Sequence, residues 1–492
     1  MASEGSMPGR LKIVIGCDTF PPDINGAARF AERLAGGLAR RGHEVHIIAP
    51  AFSSAHGTFT EVHDGATMTV HRIKSYKLPQ HATLRYTLPF TLTRDLGRIL
   101  KSIGPDVVHI QSHLIMGRFL VRAAKKQNIR MVATNHIMPE NLIKYSVVIP
   151  GFLEKAAMKW AWGDAGRVLR QVDAVTTPTR RAAELLTAAT GIQGVHAISC
   201  GIDASRFANE TPTSNKEPRI LFLGRLDYEK HIHNLLKAVA ALPADLKPIV
   251  ELVGKGGEQA HLEQLATELG IRDRVIFYGH ISEEELPKAY ERCTLFAMPS
   301  IAELQSIATM EAMASGRPVV AADAMALPHL VHNGDNGYLF PPDDIDAFAD
   351  RLKRILTADE AELERLSENS LYLIQAHDIQ RTLTIFEDLY RAQAVDSAQT
   401  AYNTAEYNEP IGRLSESLHQ QMQGLKKRVE ALSEAVEDAA DTIKDRIDEA
   451  RDDVREKLEE ARDEVKAQAK RVNRKVKSTV RKAKKRIQGG DQ

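Results

Sequence analysis

The chain has 492 residues, 43% hydrophobic and 26% charged, and its 65 lysines and arginines balance 65 aspartates and glutamates. That length exceeds a single core and predicts two or three domains of ordinary globular composition. No run approaches the roughly 20 apolar residues of a spanning helix, and residues 1–10 carry no apolar stretch behind a basic start, so the chain is expected to be cytoplasmic, with any membrane contact peripheral at the inner face. The zero net charge conceals two opposite blocks: fourteen acidic and six basic residues between Glu434 and Glu464, then eleven basic and no acidic residues between Lys466 and Arg486. Cys17, Cys200 and Cys293 are far apart in apolar runs, as expected of buried thiols in a reducing compartment.

In chain order, Leu11–Cys17 is apolar almost throughout, the pattern of a strand covered on both faces. Phe30 to Arg41 follows with helical spacing and stops at Gly42. Further strands are predicted at Val45–Ala49, Met68–Ile73, Val107–Gln111, Met131–Thr134 and Ala174–Thr177. After a polar linker from Pro212 to Pro218 the pattern restarts at Ile220–Leu223, Ile249–Val253, Val275–Tyr278, Leu295–Met298 and Val319–Ala321. Strand–helix alternation in two successive sets predicts an α/β chain of two Rossmann-like domains, over 10–211 and 218–375, with a ligand cleft between them. A last globular helix is expected within 376–395 and a polar linker over 397–410.

Beyond the linker, over 414–488, the apolar residues repeat every eleven positions. Leu432, Ile443, Val454, Val465, Val476 and Ile487 form one row, with parallel rows beginning at Val436 and Ala439. Eleven residues in three turns is about 3.67 per turn, the period of a nearly straight helix. With no glycine or proline from Lys426 to Gln488, one continuous helix is predicted.

Three loops carry the candidate chemistry. In Phe20–Ala27, between the first strand and helix, Gly26 would let the backbone approach a phosphate at a helix N-terminus, although a lone glycine also suits a plain turn. In Gly224–Lys230, directly after the strand Ile220–Leu223, Arg225 and Lys230 are placed to neutralise a diphosphate; alone, the same residues fit a solvated loop. In Pro299–Pro318, Glu303 and Glu311 stand eight apart around the start of a helix. If that stretch is helical they are separated by roughly 12 Å along its axis, a span that suits the ribose and hexose of a nucleotide sugar.

Together these motifs resemble the retaining glycosyltransferases of GT-B architecture, specifically family 4, over about Leu11 to Arg391. The resemblance implies that Glu303 holds sugar hydroxyls, Glu311 the ribose, and Arg225 with Lys230 the diphosphate. It implies a helix near Thr382–Tyr390 that crosses back to the first domain. His136, ending Ala133–His136, matches a position that contacts the donor sugar. On this basis His136, Arg225, Lys230 and Glu303 are the candidate catalytic residues, with Gly26, Gln305, Ser306 and Glu311 completing donor binding. Neither metal nor cofactor is expected, and transfer with retention would rest on positioning and on stabilising the departing diphosphate.

Many members carry glycine–phenylalanine–glycine after the first glutamate, where this chain has Leu304–Gln305–Ser306. A glutamine there is similar to diacylglycerol glucosyltransferases and suggests a lipid acceptor. Both tryptophans, Trp160 and Trp162, fall among basic residues between Asn141 and Arg170, a composition suited either to a bilayer interface or to a helix packed on its own domain. The basic block 466–487 would meet an anionic membrane surface. The tail could instead mediate self-association beside a soluble acceptor, or act as a scaffold or polyanion-binding arm; lacking aromatics, it could make only phosphate contacts.

Overall fold

The computed structural model describes residues 9–23, 25–77, 85–139, 151–207 and 217–395, with a few helical positions between 462 and 478. The linker 397–410 and nearly all of the repeat helix predicted over 414–488 lie outside the described residues.

The N-terminal lobe runs β1 (Lys12–Gly16), α1 (Gly26–Arg40), β2 (Glu44–Pro50), β3 (Gly57–His63), β4 (Ala66–Ile73), β5 (Tyr76–Lys77), β6 (Arg85–Tyr86), α2 (Pro89–Ile103), β7 (Val107–Ile110), α3 (Ile115–Lys125), β8 (Arg130–Thr134), α4 (Gly151–Leu169), β9 (Ala174–Thr177), α5 (Arg180–Thr190) and β10 (His196–Ala197). Eight strands form one sheet in the order β10-β9-β8-β7-β1-β2-β4-β3, parallel except for the β3–β4 pair. The C-terminal lobe runs β11 (Arg219–Leu223), α6 (Ile232–Ala240), β12 (Ile249–Val253), α7 (Gln259–Glu268), β13 (Val275–Gly279), α8 (Leu286–Arg292), β14 (Leu295–Met298), α9 (Ile307–Ala314), β15 (Val319–Ala322), β16 (Gly337–Phe340), α10 (Ile345–Leu356) and α11 (Glu360–Ile374). Its six strands are all parallel, in the order β13-β12-β11-β14-β15-β16.

Each central strand is apolar because both faces are covered. Ile13, Val14 and Ile15 of β1, and Leu295, Phe296 and Ala297 of β14, have no exposed surface. Against one face of the first sheet, Leu96 and Leu100 of α2, Leu120 of α3, and Trp162, Ala165 and Leu169 of α4 join Val14, Val108 and Ala133 in one apolar core. Trp162 is therefore a core residue, because it lies on the inner stripe of α4; Trp160, two positions earlier, is 66% exposed.

In both sheets the strand order reverses beside the first strand, between β1 and β7 and between β11 and β14. Loops leaving the carboxyl ends of those strands diverge there and open a crevice, which in such sheets receives the ligand. Residues Gln111–His113 leave β7, Arg225 follows β11, and Glu303 follows β14.

The chain crosses between lobes twice, and the crossings lie side by side. The Ile202 amide donates to the His377 carbonyl at 2.8 Å, and the Ile379 amide donates to the Ile202 carbonyl at 3.0 Å. The last helix, α12 (Ile379–Tyr390), then packs on the N-terminal lobe. Arg41 reaches Glu387 at 3.0 Å, Arg130 Nε donates to the Leu389 carbonyl at 2.9 Å, and His109 Nδ1 meets the Tyr390 hydroxyl at 2.7 Å. Gly37 permits this docking: a Cβ there would lie 2.6 Å from Leu383 of α12.

Candidate active site

The donor loop after β11 is built by backbone packing. Gly254, ending β12, has φ +136°, and a Cβ there would sit 1.8 Å from the Gly224 carbonyl oxygen. The Leu226 amide donates to the Lys255 carbonyl at 3.0 Å, and the Glu258 amide donates to the Leu226 carbonyl at 2.9 Å. The Gly254–Lys255–Gly256–Gly257 turn thus clamps the loop that carries Arg225. Sequence reasoning missed it, although glycines clustered directly after a strand are the signal for such a close approach.

Within that loop Arg225 is held by Asp227 and by Glu229, the latter at 2.6 Å, and its side chain remains 46% exposed. Burial raises the carboxyl pKa of Glu229 above its usual range. Lys230 is more enclosed and pairs with Glu303 Oε1 at 2.5 Å, so the two residues expected at the diphosphate and the sugar already touch. Both side chains are largely enclosed, so each offsets the other's charge in a site with little contact with water.

The second carboxylate has a different setting from the one its spacing suggested. α9 covers only 307–314, so Glu303 lies in the loop ahead of the helix and Glu311 in its second turn. The expected helical rise between them therefore does not apply. Ser306 is the N-cap: its Oγ accepts from the Thr309 amide at 3.3 Å and breaks the helical pattern there. Glu311 is only 1% exposed. Its Oε1 receives Arg33 Nη2 of α1 at 2.6 Å, and its Oε2 receives the Tyr290 hydroxyl at 3.0 Å. Arg33 crosses from the other lobe, and its Nη1 is buried without a hydrogen-bond partner. Beside it Arg29 pairs with Glu283 of the C-terminal lobe at 2.6 Å. Neither arginine was singled out from the sequence, because i and i+4 arginines on an amphipathic helix read as its solvated face.

Gly26 opens α1, and a Cβ there would lie 4.0 Å from Ile307, so the N-terminus of α1 faces the start of α9 across the cleft. His136 follows β8 and packs against Phe30 of α1, the rings tilted at 53° with centroids 4.8 Å apart. Its Nε2 meets Gln111 Oε1 at 3.1 Å. Burial pulls its pKa down to about 4, so the ring is neutral near pH 7.

Gln305 was expected at the donor but is occupied elsewhere. Its Oε1 accepts from the Cys200 amide at 2.6 Å, and its Nε2 donates to Ser199 Oγ at 3.1 Å. The cysteines are free and buried, and burial raises the thiol pKa of Cys200 and Cys293 to about 12.

Residues 24–206 match the family described as Glycosyltransferase Family 4, and residues 203–371 match Glycosyl transferases group 1. A GDP-mannose-dependent alpha-mannosyltransferase of Mycolicibacterium smegmatis is 30% identical over 369 residues, spanning 72% of this chain and 90% of that protein. A D-inositol 3-phosphate glycosyltransferase of Xylanimonas cellulosilytica is 29% identical, spanning 70% and 86%. Among solved structures, the sucrose-phosphate synthase of Thermosynechococcus elongatus superposes with a TM-score of 0.65 at 21% identity, over 77% of this chain and 98% of that one. Anabaena HepE with UDP-glucose superposes with a TM-score of 0.61 at 19% identity, over 77% and 99%. The chain belongs to the GT-B glycosyltransferases, with a family 4 lobe followed by a group 1 lobe. It is a hexosyltransferase that uses a nucleotide-sugar donor. The relatives named here are a mannosyltransferase and an inositol phosphate glycosyltransferase, so the narrower likeness to diacylglycerol glucosyltransferases rests on Gln305 alone.

Proposed function

We propose that the chain transfers a hexose, with retention, from a nucleotide-diphosphate sugar to a hydroxyl of a membrane lipid such as diacylglycerol. On donor binding Lys230 turns from Glu303 to the diphosphate and Arg225 joins it. Both then face charge that grows as the leaving group departs, which is where fixed cations lower the barrier. Glu303, released, accepts from hexose hydroxyls, and Glu311 from the ribose. His136, neutral, contributes a hydrogen bond to the sugar rather than a charge. These roles need no metal. The relatives' names leave the donor open between GDP-mannose and UDP-glucose types.

With the Gln305 side chain bonded to Ser199 and the Cys200 amide, α4 supports the lipid reading. Its exposed stripe carries Lys155, Lys159, Trp160 and Arg167, cations flanking a protruding indole on the acceptor-side lobe. An indole seats at the headgroup level while the cations meet anionic lipid. The basic block 466–487 is proposed to add a second contact, placing the enzyme at the inner face of the membrane. Full-length protein is expected to sediment with anionic vesicles but not neutral ones. A Lys155→Gln, Lys159→Gln, Trp160→Ala variant should bind them more weakly and still bind nucleotide. Equal sedimentation of variant and parent would remove α4 from the membrane contact. The name of the inositol phosphate relative favours a second reading, a soluble acceptor with the tail as a self-association device; a tail-dependent dimer that ignores vesicles would decide for it.

A further inference from the structure

Gln305 lies two residues after Glu303, yet the side-chain hydrogen bonds it makes run to the segments that join the lobes. The first crossing supplies the Cys200 amide at 2.6 Å and Ser199 Oγ at 3.1 Å; the second supplies His377 Nδ1 at 3.4 Å. Ser199 Oγ and His377 Nδ1 are themselves 2.9 Å apart, which closes a small buried ring of hydrogen bonds. Burial pulls the His377 pKa to about 3, so the imidazole is neutral, and in the tautomer protonated at Nε2 its Nδ1 accepts from both groups. The crossings are locked edge to edge at the same level by the Ile202–Asp378 bridge. Gly201, at φ +73°, fits where a Cβ would meet the Ile379 backbone at 2.9 Å. A second tie holds the same loop: Thr179 Oγ1, in the N-terminal lobe, donates to the Leu304 carbonyl at 2.9 Å.

The loop 303–306 is thus held on one side by its own lobe, through Lys230 on Glu303 and the Ala326 amide on the Glu303 carbonyl at 3.2 Å. On the other side it is held by the hinge and the opposite lobe. We propose that Gln305 is a positioning residue that couples lobe closure to the placement of Glu303: rotation at the paired crossings moves the loop through Gln305 and Thr179, so the hexose carboxylate reaches its working position only when the lobes close. The amide side chain suits this task because it accepts from a backbone N–H and donates to a hydroxyl and a neutral imidazole at once. Glutamate lacks the donor, and leucine lacks both groups. The inference rests on the proposed role of Glu303 and is independent of the acceptor.

The test is hydrogen exchange of full-length protein, Gln305→Leu and Gln305→Asn, with and without UDP-glucose or GDP-mannose, alongside titration with UDP and GDP. In the parent the amides of residues 199–202 should be protected and should slow further with whichever nucleotide sugar binds. In Gln305→Leu they should exchange about tenfold faster, as expected on losing buried hydrogen bonds. They should also cease to respond to the sugar, while the Kd of the nucleoside diphosphate stays within about twofold, and Gln305→Asn should recover part of the response. Unchanged exchange at the hinge in Gln305→Leu overturns the proposal, as does a tenfold loss of nucleoside diphosphate affinity, which would make Gln305 a donor ligand. Should Gln305→Leu fail to fold, Thr179→Val removes the other tie and must show the same uncoupling, or the proposal fails. Glu303→Ala, run in parallel, separates the two readings: if it keeps full turnover the role of Glu303 is wrong, whatever the hinge does.

Discussion

Replacing Arg33 with methionine should tighten nucleotide binding. Arg33 and Glu311 form a 2.6 Å pair whose side chains are 7% and 2% exposed, and the two residues belong to different lobes. While the pair is made, the carboxylate proposed to hold the ribose is closed to a ligand. Removing one partner of a buried pair costs about 3–5 kcal/mol where the remaining charge stays buried. If the lobes part, as the proposed hinge requires, Glu311 is hydrated and the loss falls on the closed, empty form rather than on folding. A shift of about 3 kcal/mol changes the closed-to-open ratio by roughly 100-fold. Apparent affinity is the intrinsic affinity scaled by the competent fraction, so Kd should fall by up to about 100-fold, less if the parent is already largely open. Titration calorimetry of full-length parent and Arg33→Met with GDP and UDP reads this directly. An unchanged or weaker nucleotide affinity in the variant would refute the reasoning and make Arg33 a direct nucleotide ligand.

Glu303→Ala should reduce transfer at least about 100-fold with the fold retained, since charged hydrogen bonds contribute about 1.5–3 kcal/mol each and a sugar presents more than one hydroxyl; circular dichroism and turnover together check it. Lys230→Gln should lower kcat more than it raises the donor KM, and a rise in KM with unchanged kcat would mean that Lys230 binds ground state and transition state alike. Burial holds His109 and His377 at about 3 and His136 at about 4, all below the roughly 6.5 of a free imidazole. The unfolded chain therefore takes up protons first as pH falls, so stability present above about pH 6.5 is lost between there and about pH 3, at up to about 1.4 kcal/mol per pH unit per histidine. Thermal melts from pH 7.5 to 5 should show this slope, and His109→Gln should flatten it. Ending the chain at Pro410 should spare nucleotide binding but reduce sedimentation with anionic vesicles, and raised salt should do the same to the full chain.

The two sheets were legible because their inner strands are short, mostly apolar runs; Ala174–Thr177, Ile249–Val253 and Leu295–Met298 stand where the pattern put them. The edge strand β3 was missed because most of Gly57–His63 is exposed and its alternation is weak. Lys230 and Glu303 were singled out separately, each in a loop after a predicted strand, and their direct pairing was not legible. What the sequence could not convey is which partner a charged group chooses across a cleft. Arg33 looks like any surface arginine until α1 is set against α9, and Tyr290, on α8, has no motif around it. The partners of Gln305 were illegible for a related reason: two residues from Glu303 in the chain, its side chain bonds to Ser199, the Cys200 amide and His377, which local pattern does not bring near. Trp160 and Trp162 share a composition, and only the helical phase of α4 separates a surface indole from a core one.

The proposed activity is tested most directly by incubating full-length protein with diacylglycerol-containing anionic vesicles and, separately, GDP-mannose and UDP-glucose, followed by mass spectrometry of the extracted lipid and determination of the anomeric configuration of any product. One donor should add a single hexose mass to the lipid with an α-linkage, retained from the donor, and Glu303→Ala should add none. A β-linked product, or hexose appearing only on a soluble acceptor while the lipid stays unmodified, would contradict it.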